Sequence, residues 1–401
     1  MPDARKLPYW RLSGFYFFYF AALGAFLPYW ALYLQAAGQT PAQIGQLMAL
    51  LAGTKLISPN LWGWLADRSG RCMWLIRCAA CLTAASFALV FKFSGFGWLA
   101  LISLAFGFFW NASLPLFEAV TLAHLSQDSH RYARVRLWGS IGFIVAVLVA
   151  GRALDTVVVI DCLPILIFVL FLGQGLASLL VPERSIQVTE HGNGSLAAIL
   201  KQPRVAAFFV VFMLIQVAHG PYYVFFSVYL KASGFDASQT GQLWALGVFA
   251  EIVLFIVLHR ILRRFALRPI LLVSIALGVL RWLIIAWLVQ NLVAVAFAQL
   301  LHAATFGASH AGAIHLVHKY FAGPHHGKGQ ALYSSLSFGL GGMLGSYLSG
   351  IWWSSLGPAL VYSAAAGVSL LALLIFWIWV EKDPKKRRAA GPVHPVSPRG
   401  A

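Results

Sequence analysis

The chain has 401 residues, of which 60% are hydrophobic and only 10% charged. A water-soluble domain carries roughly 25% charged and under about 50% apolar residues, so this much apolar side chain cannot all lie in a core beneath a polar surface. The formal net charge of +17 is split among short segments between apolar stretches, which excludes a nucleic-acid-binding reading.

Apolar stretches of about 20 residues, the length that crosses a hydrocarbon layer, recur along the whole sequence. They predict spans at 12–34, 44–65, 74–93, 97–124, 137–153, 160–181, 205–230, 240–259, 269–289, 292–318, 330–352 and 358–380. The first stretch is too long and too aromatic for a cleaved signal sequence and is expected to stay in the membrane. Only Lys92, Arg152 and Lys231 fall in the expected outer loops, and only Lys55, Arg77 and Arg281 within spans. The other basic residues lie on the side of the termini, and positive charge gathers in the cytoplasm, so both termini are expected there.

An internal repeat organises the chain. Residues 38–50 and 234–246, offset by 196, agree at seven of thirteen positions, from Gly38/Gly234 to Leu50/Leu246. Spans 1–2 therefore correspond to spans 7–8. The expected fold class is an all-α membrane protein of twelve transmembrane helices in two pseudo-symmetric six-helix halves. Residues 1–181 and 205–380 would be the halves, 182–204 a cytoplasmic linker, and 381–401 a basic disordered tail containing Lys385, Lys386, Arg387 and Arg388. A short surface helix is expected at 195–201. Parallel halves about an axis along the membrane normal form a known transporter plan, with the substrate site between them at mid-membrane.

Span 2 carries Lys55 and span 8 carries Glu251, again 196 apart, so the repeat puts opposite charges at matching places. A charge near mid-bilayer costs at least about 2.5–3.5 kcal/mol on insertion scales, and such groups are functional candidates by default. The loop after span 2 reads Gly63-Trp64-Leu65-Ala66-Asp67-Arg68-Ser69-Gly70-Arg71. Its glycines suit a tight turn, and Asp67 is placed to meet helix ends and basic groups. The equivalent loop of the second half, His259 to Phe265, is basic but lacks the acid and the glycines. In span 3, Cys78 and Cys81 are read as packing residues, not as a redox or metal pair.

Span 4 places Asn111, Pro115 and Glu118 on one helix face, and Arg136 at the start of span 5 is in reach of Glu118. Gln216, His219 and Tyr223 share a face of span 7. Span 9 supplies Arg281 and Trp282, and span 10 supplies His302 and Thr305. His310, His315 and His318 are read as structural or interfacial. Gly339, Gly341, Gly342, Gly345 and Gly350 in span 11 are read as sites of close helix contact. No metal-ligand spacing, nucleophile motif or phosphate loop is present, so neither an enzyme nor a bound metal or cofactor is expected.

The Gly63–Arg71 loop resembles the signature of the major facilitator superfamily. Pro115-Leu116-Phe117-Glu118-Ala119 and Tyr132 to Gly139 resemble helices 4 and 5 of the lactose-permease family. Phe26-Leu27-Pro28-Tyr29-Trp30, Arg136 to Ser140, Leu243 to Gly247 and Ala250-Glu251 resemble its phenylpropionate-transporting branch still more. The resemblance covers nearly the whole chain except the tail. It implies that Glu118 and Arg136 form a substrate-binding ion pair, and that Glu251, Arg281 and His302 match the acid, arginine and histidine of helices 8, 9 and 10. It further implies a gating role for Gly63, Asp67, Arg68, Gly70 and Arg71. The chain departs from the sugar permease at Thr305, where a proton-carrying glutamate would stand, and it lacks the acids of helix 7 and the lysine of helix 11.

Three cationic side chains, Lys55, Arg136 and Arg281, face two carboxylates, which suits an anionic substrate. The expectation is a monomeric, proton-coupled symporter of a bacterial inner membrane, surrounded by lipid and carrying a small aromatic carboxylate. Lys55, Asn111, Glu118, Arg136, Gln216, His219, Tyr223 and Trp244 would bind substrate, with Lys55 or Arg136 on its carboxylate and Tyr223 and Trp244 at its ring. Glu251, Arg281 and His302 would couple the proton, with Arg281 holding Glu251 or His302. A sugar or nucleoside symporter is the alternative within transport, and a membrane sensor or receptor the alternative outside it.

Overall fold

The structure, a computed structural model, describes residues 8–125, 129–156, 159–184 and 196–381. Twelve helical rods run through them: α1 (Tyr9–Ala36), α2 (Pro41–Ser69), α3 (Cys72–Phe91), α4 (Phe96–Leu125), α5 (Ser129–Thr156) and α6 (Ile160–Leu180), then α7 (Pro203–Ala232), α8 (Ala237–Arg264), α9 (Leu267–Leu288), α10 (Leu292–Tyr320), α11 (326–356) and α12 (Pro358–Trp379). Ten are each long and apolar enough to cross a membrane. The other two are α2, which carries Lys55, Asp67 and Arg68, and α11, which a π-helical turn interrupts. Large apolar side chains such as Ile57, Leu176, Ile256 and Trp287 stand exposed on the outside of the bundle, as a lipid-facing surface requires.

The linker contains a short helix at Leu196–Leu200, close to the expected 195–201. The rest of the expected linker helix, at Ser195, and the tail beyond Glu381 lie outside the described residues.

The repeated sequence builds the same turn twice. The Thr40 side chain accepts from Gln43 N and the Gln43 side chain from Thr40 N; Asp236 and Gln239 do the same. These reciprocal caps fix the starts of α2 and α8. Gly38 and Gly234 precede them at φ +81° and +93°, where a side chain would be strained. Lys55 and Glu251 then stand the same number of residues into their helices.

The α11 glycines do make close contacts. A Cβ at Gly345 would lie 2.4 Å from Val217 O of α7, and one at Gly350 would lie 2.7 Å from Gly45 Cα of α2. Both clashes are with backbone, which cannot swing aside. Gly345→Ala is therefore expected to destabilise the bundle by about 1–3 kcal/mol. Gly175→Ala on α6, where nothing lies within 4 Å, is expected to be neutral. Equal Tm values for the two purified variants would contradict this packing account.

Lys319 and Tyr320, at the end of α10, donate to the Glu381 carboxylate just beyond α12, the Tyr320 hydroxyl at 2.9 Å. Burial pushes the Glu381 carboxyl up, but the bonds from Lys319 and Tyr320 outweigh it and hold it below the usual glutamate range. A depressed carboxylate adds stability that is full above its unfolded pKa and lost as pH falls through the folded value. Glu381→Gln should thus flatten the acid side of a Tm-against-pH curve. Parallel curves for variant and parent would show that the tie contributes nothing.

Candidate functional site

Polar side chains gather where α2, α4, α5, α7, α8 and α10 face one another. On the first-half side, Asn111 Nδ2 of α4 donates to Thr54 Oγ1 at 2.8 Å and to Leu51 O at 3.3 Å. Asn111 thereby joins α4 to α2 beside Lys55. Lys55 is half-buried and makes no hydrogen bond or ion pair among the described residues. The expected Glu118–Arg136 pair is present, with Nε and Oε1 3.9 Å apart and both side chains about a third exposed. The guanidinium also lies 4.0 Å above the Phe20 ring and 5.5 Å from the Tyr16 ring. This aromatic seat on α1 was not singled out in the sequence, since single aromatic residues are common in any span.

On the second-half side, Glu251 Oε2 lies 4.0 Å from His302 Nε2. Gly307 makes room for this, because a Cβ there would lie 3.1 Å from Glu251 Cγ. His219 Nδ1 lies 2.8 Å from Ile215 O and its ring stacks on Tyr223, while its Nε2 is buried with no hydrogen-bond partner among the described residues. Gln216 is buried against Gly341 of α11.

Several expectations are corrected. Arg281 makes no direct hydrogen bond or ion pair with Glu251 or His302, but it stands one ring away from His302, across Tyr222. Its guanidinium, fully buried, donates to Ala298 O at 3.0 Å and Thr305 Oγ1 at 3.2 Å, and lies over the Tyr222 and Trp282 rings at 4.3 and 4.6 Å. Thr305 thus serves as a partner of the arginine. Trp244 is sealed at 4% exposure, with Nε1 donating to Ser227 Oγ and its ring against Tyr222, so it presents no face for a ligand. Asp67 is exposed, and the start of α3 is capped by Glu183, whose carboxylate accepts from Met73 N at 3.0 and 3.1 Å. Gly70 ends α2 in a left-handed turn, as its place in the motif predicts, and Arg68 packs 5.6 Å from the Trp64 ring. Gly63 lies partly buried within α2, about two helical turns before this turn, and Arg71 is exposed at the start of α3. His310, read as structural or interfacial, bonds Tyr333 OH at 3.0 Å, in keeping with a structural place. Tyr222 and Gln299, which bond at 2.9 Å beside Arg281, carried no sequence signal.

At one end of the bundle a polar latch joins α5 to α8. Asp155 Oδ1 and Oδ2 accept from Ala237 N and Ser238 N at 2.9 and 2.7 Å, capping α8 and offsetting its dipole. The Tyr29 hydroxyl of α1 lies 2.9 Å from Val147 O and 3.2 Å from Ala237 O, so its proton is shared between them. Asp155→Ala combined with Tyr29→Phe should loosen this end. Spin labels on the exposed Lys92 and Lys231 positions should then report longer separations. An unchanged distance distribution would mean that the latch does not hold this end closed.

A multi-pass bundle of twelve helices with ionisable groups confined between facing helices defines a membrane transporter. The chain belongs to the MFS_1 like family, whose profile matches residues 9–364, and it has the major facilitator fold. It is 31% identical over 371 residues to the "Probable 3-phenylpropionic acid transporter" of Escherichia coli (strain K12), covering 86% of this chain and 93% of that one. It is 26% identical to the "Maltose permease" of Geobacillus stearothermophilus over 94% of this chain and 95% of the relative. Among solved structures, one of the nucleoside transporter NupG superposes with a TM-score of 0.82 at 19% identity, covering 92% of this chain and 98% of the other.

Proposed function

We propose that this transporter is a proton-coupled symporter that imports a small aromatic carboxylate by alternating access. The observation that carries the reading is Lys55, a half-buried cation inside the helical bundle with no counter-charge among the described residues. Arg136 has Glu118, whereas Arg281 bonds only a carbonyl and a hydroxyl beneath two rings, and its Nη2 is buried with no hydrogen-bond partner among the described residues. An anionic substrate offsets the charge that remains, whereas a neutral sugar leaves it uncompensated. The 31% identity to the Escherichia coli relative, whose name specifies 3-phenylpropionic acid, supports the same choice. The concentration of Lys and Arg in alternate loops and the termini supports a bacterial inner-membrane protein with both termini cytoplasmic.

A sugar or nucleoside symporter is the second reading, favoured by the similarity to the maltose permease and to the NupG fold. Competition separates them. Uptake of labelled 3-phenylpropionate into energised vesicles should be inhibited by other aryl carboxylates and not by maltose or uridine. Inhibition by maltose or uridine alone would transfer the case to the second reading.

A further inference from the structure

We propose that the substrate ring is held by Phe306 of α10 and Phe338 of α11, with His310 at its polar edge. This rests on the carboxylate reading above and adds the subsite that reading lacks.

Each of the two helices contains one π-helical turn, Ala303–Ala308 in α10 and Ser335–Gly341 in α11. Such turns shift the side-chain register of everything beyond them and are frequent at functional sites. Here each turn carries one of the two phenylalanines, and their ring centroids are 6.2 Å apart at 69°. Phe306 lies nearly parallel, at 9°, to both the His302 ring on one side and the His310 ring on the other. Phe338 meets Phe306 and His310 edge-on. Tyr333 fixes His310 through the 3.0 Å bond to Nδ1.

Accessibility and position select these rings. Phe306, Phe338 and His310 are half-buried, whereas Tyr222, Trp244, Trp282 and Tyr333 are sealed. Helix α2 runs along α11 so that Leu56 lies on Gly339, Ala52 on Gly342 and Asn60 bonds Ser335. Lys55 therefore stands level with the turn of α11 that follows Phe338. A carboxylate on Lys55 puts the other end of a short aryl acid against Phe338 and Phe306. Phe306 and Phe338 already touch in a T-shaped pair, so a flat ring meets the partly exposed edges of that pair, edge-on or offset. His310 Nε2 has no hydrogen-bond partner among the described residues, so a ring hydroxyl can bond there. The ligand class is thus phenyl and hydroxyphenyl alkanoates.

The test uses proteoliposomes of the full chain and a matched set of inhibitors: 3-phenylpropionate, 3-(4-hydroxyphenyl)propionate and hexanoate. The parent should prefer the phenyl acid to hexanoate. Phe338→Ala and Phe306→Leu should each reduce that preference about fivefold to tenfold while leaving hexanoate inhibition in place. His310→Ala should remove only the gain from the ring hydroxyl. Lys55→Gln should weaken all three acids alike, and melting curves of the purified variants separate misfolding from loss of the subsite. An unchanged phenyl-to-hexanoate ratio in both folded phenylalanine variants, with Lys55 still required, overturns the ring subsite and spares the carboxylate reading. Failure of all three acids to inhibit the parent overturns both.

Discussion

Glu251→Gln is expected to abolish uphill, proton-driven accumulation, with uptake falling to equilibration, while exchange of substrate across the membrane continues. A symporter needs one group that takes a proton on one side and releases it on the other. Glu118 is committed to Arg136. Glu251 is not committed in that way: its near neighbour at 4.0 Å is His302, which carries charge only when protonated. Glutamine keeps the shape and removes the proton, so binding and reorientation survive while coupling does not. Aligned pH-gradient and exchange assays on one preparation distinguish these outcomes. Full accumulation by the glutamine variant would move the coupling role elsewhere, and loss of exchange as well would make Glu251 a structural or binding group.

Lys55→Gln is expected to raise the KM for the carboxylate substrate by roughly tenfold to a hundredfold, the worth of about 1.5–3 kcal/mol for a charge-assisted hydrogen bond. Lys55→Arg should recover part of the loss, because the charge returns with a different reach. The fold should tolerate both, since Lys55 makes no hydrogen bond or ion pair among the described residues that either change would break. A KM indifferent to both substitutions would mean that the carboxylate sits elsewhere, with Arg136 as the next cation to test.

The helical architecture was legible because each span announces itself by length and apolar content, and the repeat left two near-identical capped turns at Thr40–Gln43 and Asp236–Gln239. The Glu118–Arg136 pair was legible too, because both residues lie near the short connection between their helices, where sequence spacing nearly determines distance. The direct partners of Arg281 were not legible, for the opposite reason. Its long side chain has several buried acceptors within reach, and the choice of Ala298 O and Thr305 over the acid depends on how α9 and α10 pack. The π-helical turns at Ala303–Ala308 and Ser335–Gly341 have no compositional mark, so the regular spacing used for α10 did not show that the His310 ring continues the stack begun by His302 and Phe306. Trp244 carried the signal of an accessible aromatic residue but not its burial, which neighbours from α7 impose.

The central claim is most directly tested with purified protein in liposomes under an imposed inward proton gradient. The account predicts that labelled 3-phenylpropionate accumulates above its outside concentration, that a protonophore collapses the accumulation, and that maltose and uridine under the same gradient do not accumulate. Accumulation of the sugar or nucleoside without the aryl acid, or uptake of the acid indifferent to the gradient, would contradict it.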